Sequence, residues 1–314
     1  MGWASASIGS YLTLTGTVDG TNVNIGLSPS AQIVGGGGIT SAGPGGSTSL
    51  TINRGEVALL LGPPEGDLSG SLISASAPIQ VIAGISCINV PDGQSACDHV
   101  EESVFPAETL GQHYIVTMPT GPNGDTPGHW VRMYGNFDGT VLNYLGNAPP
   151  NAPTSLNAGD VVDVGLVTVD FEVQADQAFA VATFQLGASV VDPLTPTEFQ
   201  KGDPAKSFAT AVEQYRQKYV FLAPTDYDVN YVDIIQPAGA TITIDGQAVS
   251  VPAQPVGSSG FGIARVMLSS NTGGVHVLQA SAPVGIQVSG YGSYTSYYYP
   301  GGLNLKTIAP PPVR

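Results

Sequence analysis

The chain has 314 residues, of which only 11% are charged, and it carries 41 glycines and 25 prolines. Its 9 basic residues stand against 24 acidic ones, a formal charge of −15. That balance argues against nucleic acid, because phosphate contacts need clustered Lys and Arg, and against a polybasic membrane contact. No run approaches 18 consecutive apolar residues, so direct membrane insertion is not expected either.

In chain order, MGWASASIGSYL lacks the charged n-region and apolar h-region of a signal peptide. Two expectations follow: export information already removed, or a chain that is part of something longer. Beyond it, runs such as VALLL, VIAGI, YIVTM, FAVATF, TITIDG and GIQVSG alternate or stay apolar over short stretches. Gly, Pro, Asn and Asp punctuate them about every 8–12 residues, the spacing of sandwich strands. Residues 35–38, four glycines, read as a flexible hairpin tip. VEESVFPAETLG (100–111) and FATAVEQYRQ (208–217) are the segments with room for a helical turn or two. LTPTEFQKGDPAK (194–206) reads as a linker and APPPVR (309–314) as a tail.

The sequence also repeats itself. YLTLTGTVDGT (11–21) aligns with WVRMYGNFDGT (130–140), and SLTINRGEV (49–57) with SLNAGDV (155–161). SAPIQVIAG (76–84) matches DQAFAVATF (176–184) and SAPVGIQVSG (281–290). QHYIVTMP (112–119) matches QKYVFLAP (217–224) 105 positions later. The predicted architecture is therefore all-β, with little or no helix and three tandem β-sandwich units of about 100 residues. They are placed at 1–97, 98–192 and 207–308, with a linker at 193–206 and a tail at 309–314. The first copy has no counterpart of QHYIVTMP. LNLKTI (303–308) is predicted to fill its open edge, since an unpaired edge invites aggregation.

Three stretches stand out: DLSGSLISASAPIQVIAGISC with ACDHVEE (67–102), GDPA…EQYRQKYVF…NYVDII…ITIDG (202–246) and SAPVGIQVSGYGSYTSYYYPGG (281–302). Together they resemble the N-terminal domain of the IgG Fc-binding protein family and its bacterial relatives. The resemblance spans nearly the whole chain. It departs from the family pattern at Ser103, where the family carries Gln after the glutamate. It implies an extracellular or cell-surface recognition or adhesion module, binding a protein or glycan ligand without catalysis. The absence of any Asn-x-Ser/Thr sequon favours a bacterial origin.

For chemistry, Cys87 and Cys97 are the only cysteines and read as a disulfide, with Pro91-Asp92-Gly93 turning the chain between them. Zinc would need four ligands in paired spacing, and a Cys–His99 nucleophile would oxidise outside the cell. Asp98, His99, Glu101 and Glu102 read as structural, with a cation or acid–base site as the sharper alternative. Asp226, Asp228 and Asn230 alternate as calcium ligands do, but the glycine and bidentate glutamate of an EF-hand are missing. Calcium is thus the one cofactor left open. Tyr291, Tyr294, Tyr297, Tyr298 and Tyr299 are the most suggestive binding feature. In a strand, Tyr297 and Tyr299 share a face, and with Tyr294 they are the candidate ligand contacts. The competing reading is a tyrosine seam within the core. Two other functions compete: a structural spacer in a larger surface protein, and a hydrolase using His99 or His129 beside a serine and an acid.

Overall fold

The computed structural model describes residues 2–3, 9–94, 97–270 and 273–312. It is all-β, with about half of the residues in strands. The first group of strands is β1 (Gly2–Trp3), β2 (Tyr11–Gly16), β3 (Thr21–Gly26), β4 (Ser47–Ile52), β5 (Val57–Leu61), β6 (Leu72–Ala75), β7 (Ile79–Asn89) and β8 (Asp98–Ser103). One sheet runs β1-β7-β2-β5, with β8 also on β7, and it faces a smaller sheet of order β4-β3-β6. The alternation seen in the sequence is the burial pattern: Leu12 and Leu14 from β2 meet Val23 and Ile25 from β3, closed off by Ile52 and Leu60. Bridges from Ile33 to Ala42 and from Gly36 to Ile39 place the four glycines at the tip of a small hairpin.

The second group is β9 (His113–Val116), β10 (His129–Gly135), β11 (Thr140–Tyr144), β12 (Ser155–Leu156), β13 (Val161–Val167), β14 (Phe171–Ala175), β15 (Phe179–Phe184) and β16 (Lys206–Phe208). Sheets of order β13-β10-β15-β16 and β12-β11-β14-β9 enclose Tyr114, Met133, Phe171 and Phe179. The third group is β17 (Arg216–Ala223), β18 (Val229–Pro237), β19 (Ile242–Ile244), β20 (Gln247–Ala248), β21 (Gln254–Val256), β22 (Phe261–Ser270), β23 (Gly274–Gly292) and β24 (Thr295–Pro300). Here β23 has 19 residues and serves two layers. Its first half pairs with β17 and β19, its second with β18 and β24, around Val232, Ile234, Leu278 and Ile286.

Two strands cross the boundaries drawn from sequence. β8, beginning at Asp98, pairs with β7, and β16, in the GDPAK stretch and after it, pairs with β15. The segments with room for helix give single 3-10 turns at Ala107–Thr109 and Val212–Gln214, and Ala188–Val191 forms a short α-helix, α1, that the sequence did not signal. LNLKTI does not become the missing strand of the first group. Residues 303–308 form no strand, and their amides bond elsewhere: Asn304 to the Gln214 carbonyl and Ile308 to the Glu108 carbonyl. The physical reason is Gln214, fully buried, whose amide and carbonyl oxygen engage the Lys306 backbone and hold the segment at the third group. Of the tail, residues 313–314 lie outside the described residues.

Buried hydrogen bonds join the second and third groups. Gln185 donates to the Tyr291 hydroxyl, Ser207 and Phe208 engage the Gln287 amide, and the Thr120 hydroxyl donates to Asp233. Arg265 contacts both oxygens of Asp170 at 2.8 and 2.9 Å. Glu172, 1% exposed, accepts from the Ser258 amide and the Ser259 hydroxyl and contacts His113 at 2.7 Å. Gly257, at φ +61, leaves room for that carboxylate, because a Cβ there would lie 1.8 Å from Glu172 Oε2. Burial pushes the Asp233 carboxyl up to about 6, against the pull of Arg265. An Arg265→Met variant should therefore lose about 2–4 kcal/mol at pH 7.5, where an uncompensated buried carboxylate remains. The loss should shrink at pH 5, where Asp233 binds a proton; urea unfolding at both pH values reads the difference.

Candidate functional site

The disulfide expected from the sequence forms between Cys87 and Cys97, whose Cα atoms are 5.2 Å apart. It closes the turn between β7 and β8; residues 95–96 of that turn lie outside the described residues. Directly after it, Asp98 accepts from the His99 amide at 2.7 Å. The His99 ring lies 3.1 Å from the Tyr11 hydroxyl and 3.2 Å from Glu101. Burial and the Glu101 charge push the Tyr11 hydroxyl up to about 12. Glu102 caps the Ser103 amide. Across the seam, burial pushes the Asp203 carboxyl up to about 7, and the charge of Asp98 adds to the rise. The two motifs ACDHVEE and GDPA thus bring one acid of each together.

The hydrolase reading required His99 or His129 to reach a serine and an acid. His99 bonds Tyr11 and Glu101 instead. His129 is fully buried, neither ring nitrogen has a hydrogen-bond partner among the described residues, and burial pushes it down to about 3. The geometry gives that reading no support. His113 and His276 each face a carboxylate at 2.7 Å, Glu172 and Asp245.

The tyrosine run divides by face. Tyr291 and Tyr298 are buried against the second group, through Gln185 and Thr183. Tyr297 and Tyr299 stand on the other side of β24 with ring centroids 6.0 Å apart, and Tyr227 packs on Tyr297 at 4.8 Å. All three candidate contacts use their hydroxyls within the chain: Tyr294 with the Thr197 carbonyl, Tyr297 with Asn230 and Tyr299 with the Leu222 carbonyl. Two of the three calcium candidates, Asp228 and Asn230, are similarly engaged. Asn230 is buried and accepts from Tyr297, and Asp228 pairs with Lys201 at 3.4 Å. Among the described residues, no group of three His, Cys, Asp or Glu side chains is placed to hold a metal ion.

A concavity lies elsewhere, between the first and second groups. It is a groove of about 1030 Å³ running along the whole of β6, lined also by β7, Phe105, Tyr134, Phe184 and Phe208, with Pro311 and Pro312 of the tail beside it. At one end Arg132 bridges the groups. It contacts Asp67 of the first at 2.6 Å and both oxygens of Asp163 in the second at 2.8 Å. Burial alone would raise these two carboxyls, but the guanidinium overcomes it and holds both below their ordinary range. Lys206 lies 5.0 Å from the centroid of Phe208, and burial pushes its amine down to about 8.

The family model described as IgGFc binding protein matches residues 1–290. The chain belongs to the IgGFc-binding protein family. It is 28% identical over 249 residues to the human IgGFc-binding protein, a match covering 78% of this chain but 4% of that relative's length. No solved structure matches the chain. The relative is human, so the bacterial origin expected from the missing sequons gains nothing from it. The family is one of binding proteins rather than enzymes. The groove and the Arg132 bridge were missed in the sequence, where WVRMYG reads only as an alternating strand; the one signal was an arginine inside a strand of a chain with 9 basic residues.

Two outcomes test this geometry. Replacing both cysteines with serine should cost about 2–3 kcal/mol in chemical denaturation, the loop-closure value for so short a ring. For Asp203, the folded carboxyl keeps its proton up to about pH 7, whereas an unfolded one releases it near about 3.9. The folded state therefore loses stability from this group as pH rises between those values. Asp203→Asn should raise the urea midpoint at pH 8 and leave it nearly unchanged at pH 4.

Proposed function

We propose that this chain is a non-enzymatic extracellular binding module whose ligand is a protein, with the Fc part of immunoglobulin as the first candidate. The observation that carries the reading is the family match over residues 1–290, together with a human relative named for Fc binding. The disulfide agrees with an oxidising compartment. Among the described residues no helix is long and apolar enough to cross a membrane. The tyrosine face belongs to the same reading: hydroxyls engaged within the chain hold the half-exposed rings of Tyr294, Tyr297 and Tyr299 in place, which lowers the cost of ordering them on a ligand.

A second reading, a spacer within a larger surface protein, draws on the same internal hydrogen bonds and on the buried contacts between groups. Surface plasmon resonance against Fc, Fab and a glycan array, with and without calcium, separates the two. Saturable Fc binding that falls at least tenfold in a Tyr297→Ala/Tyr299→Ala variant of unchanged melting profile is the expected result. Silence toward every protein and glycan would leave the spacer reading in its place.

A further inference from the structure

In the second group, the sheet β12-β11-β14 carries β9 on its β14 edge, in register from Phe171 with Val116 to Gln174 with His113. In the third, β17 covers the first half of β23 in the same antiparallel sense. In the first, the sheet β4-β3-β6 stops: among the described residues β6 pairs with β3 alone. The Ser76 amide donates to the Asn22 carbonyl. By the two-residue period of a strand, the amides of Leu72 and Ser74 then face β3, and those of Ile73 and Ala75 face outward. The burial pattern records the difference. The first three residues of β14 are fully buried beneath β9, while β6 runs from half-buried to exposed.

The space beside that edge is the groove described above, about 1030 Å³ and mostly apolar. What fills the equivalent position in the second group shows the chemistry it would take. Tyr114 and Val116 of β9 enter their own core, and Ile115 between them packs with Tyr215, Ile235 and Ile263 of the next group. A strand at this position is thus apolar on both faces, because it lies between two packed bodies. The groove at β6 is likewise lined by residues of both the first and the second group, with Pro311 and Pro312 of the tail beside them.

We propose that the β6 edge and its groove accept an extended segment of another polypeptide as an added antiparallel strand, about four residues long and apolar on both faces over its length, as Tyr114–Val116 is. Main-chain hydrogen bonds to Ile73 and Ala75 would supply register, and the two apolar walls would supply selectivity. The surface is separate from the tyrosine face, so Fc binding and strand binding stand or fall independently.

A fluorescein-labelled peptide of residues 112–119, QHYIVTMP, is the probe, titrated onto the full chain by anisotropy beside a scrambled peptide. Saturable binding of the ordered sequence alone is expected, weakened at least tenfold by Ala75→Pro, which removes an outward amide and leaves those facing β3. Amide exchange on the unaltered chain serves should that variant misfold: the peptide should slow exchange at Ile73 and Ala75, with little change at Leu72 and Ser74. No saturable binding, equal binding of the scrambled peptide, or unchanged exchange at Ile73 and Ala75 would overturn the proposal. So would slow exchange at both amides before peptide is added, whether from this chain's own residues or from a dimer seen by sedimentation. Retained Fc binding in any of those cases would leave the functional reading above intact.

Discussion

Backbone amides and carbonyls at the edge of a β-sheet must be paired, covered or wetted, and much of this molecule is arranged around that demand. In the first two groups a strand that completes a sheet comes after the stretch assigned to that group, β8 on β7 and β16 on β15, whereas β24, on β23, lies within its own. β8 and β16 lie where the sequence suggested a boundary or a linker. The connections are therefore ordered by the sheets they complete, and each hands the chain directly to the next body.

That arrangement sets the character of the contacts between groups. β15, Gln185 just after it and β16 present Thr183, the Gln185 amide nitrogen and Ser207 to hydrogen-bond partners in the third group. A buried polar group without a partner is costly, and here Tyr298, Tyr291 and Gln287 supply the partners. Tyrosine suits the position because its ring fills apolar space while its hydroxyl reaches across. Tyrosines that looked alike in sequence thus divide into Tyr291 and Tyr298 within the seam and Tyr297 and Tyr299 on the face away from it.

The seam between the first and second groups is built differently. Arg132 clamps Asp67 and Asp163 at one end, and an apolar groove remains beside β6. Where β9 fills one seam with Ile115, this seam has space of the same kind and an edge with amides directed into it. A binding module of the IgGFc-binding protein family would gain from such a feature, since a strand-shaped vacancy selects by main-chain register as well as by side chain.

Composition, alternation and turn residues determined by themselves that the chain is all-β, since a period of two with frequent Gly and Pro is compatible with little else. Two cysteines in a short turn determined the disulfide, because Pro91-Asp92-Gly93 needs no distant partner to bring the ends together. Three stretches taken together, 67–102, 202–246 and 281–302, were enough to indicate the family. What the sequence could not carry was partnership over long separations: Asp98 beside Asp203, Arg132 between Asp67 and Asp163, Gln214 holding the 303–308 segment. LNLKTI had the alternation of a strand, yet a buried glutamine 92 positions from Lys306 decided its place. Periodicity records which face of an element is buried and is silent about what buries it, and only the folded chain supplied those partners.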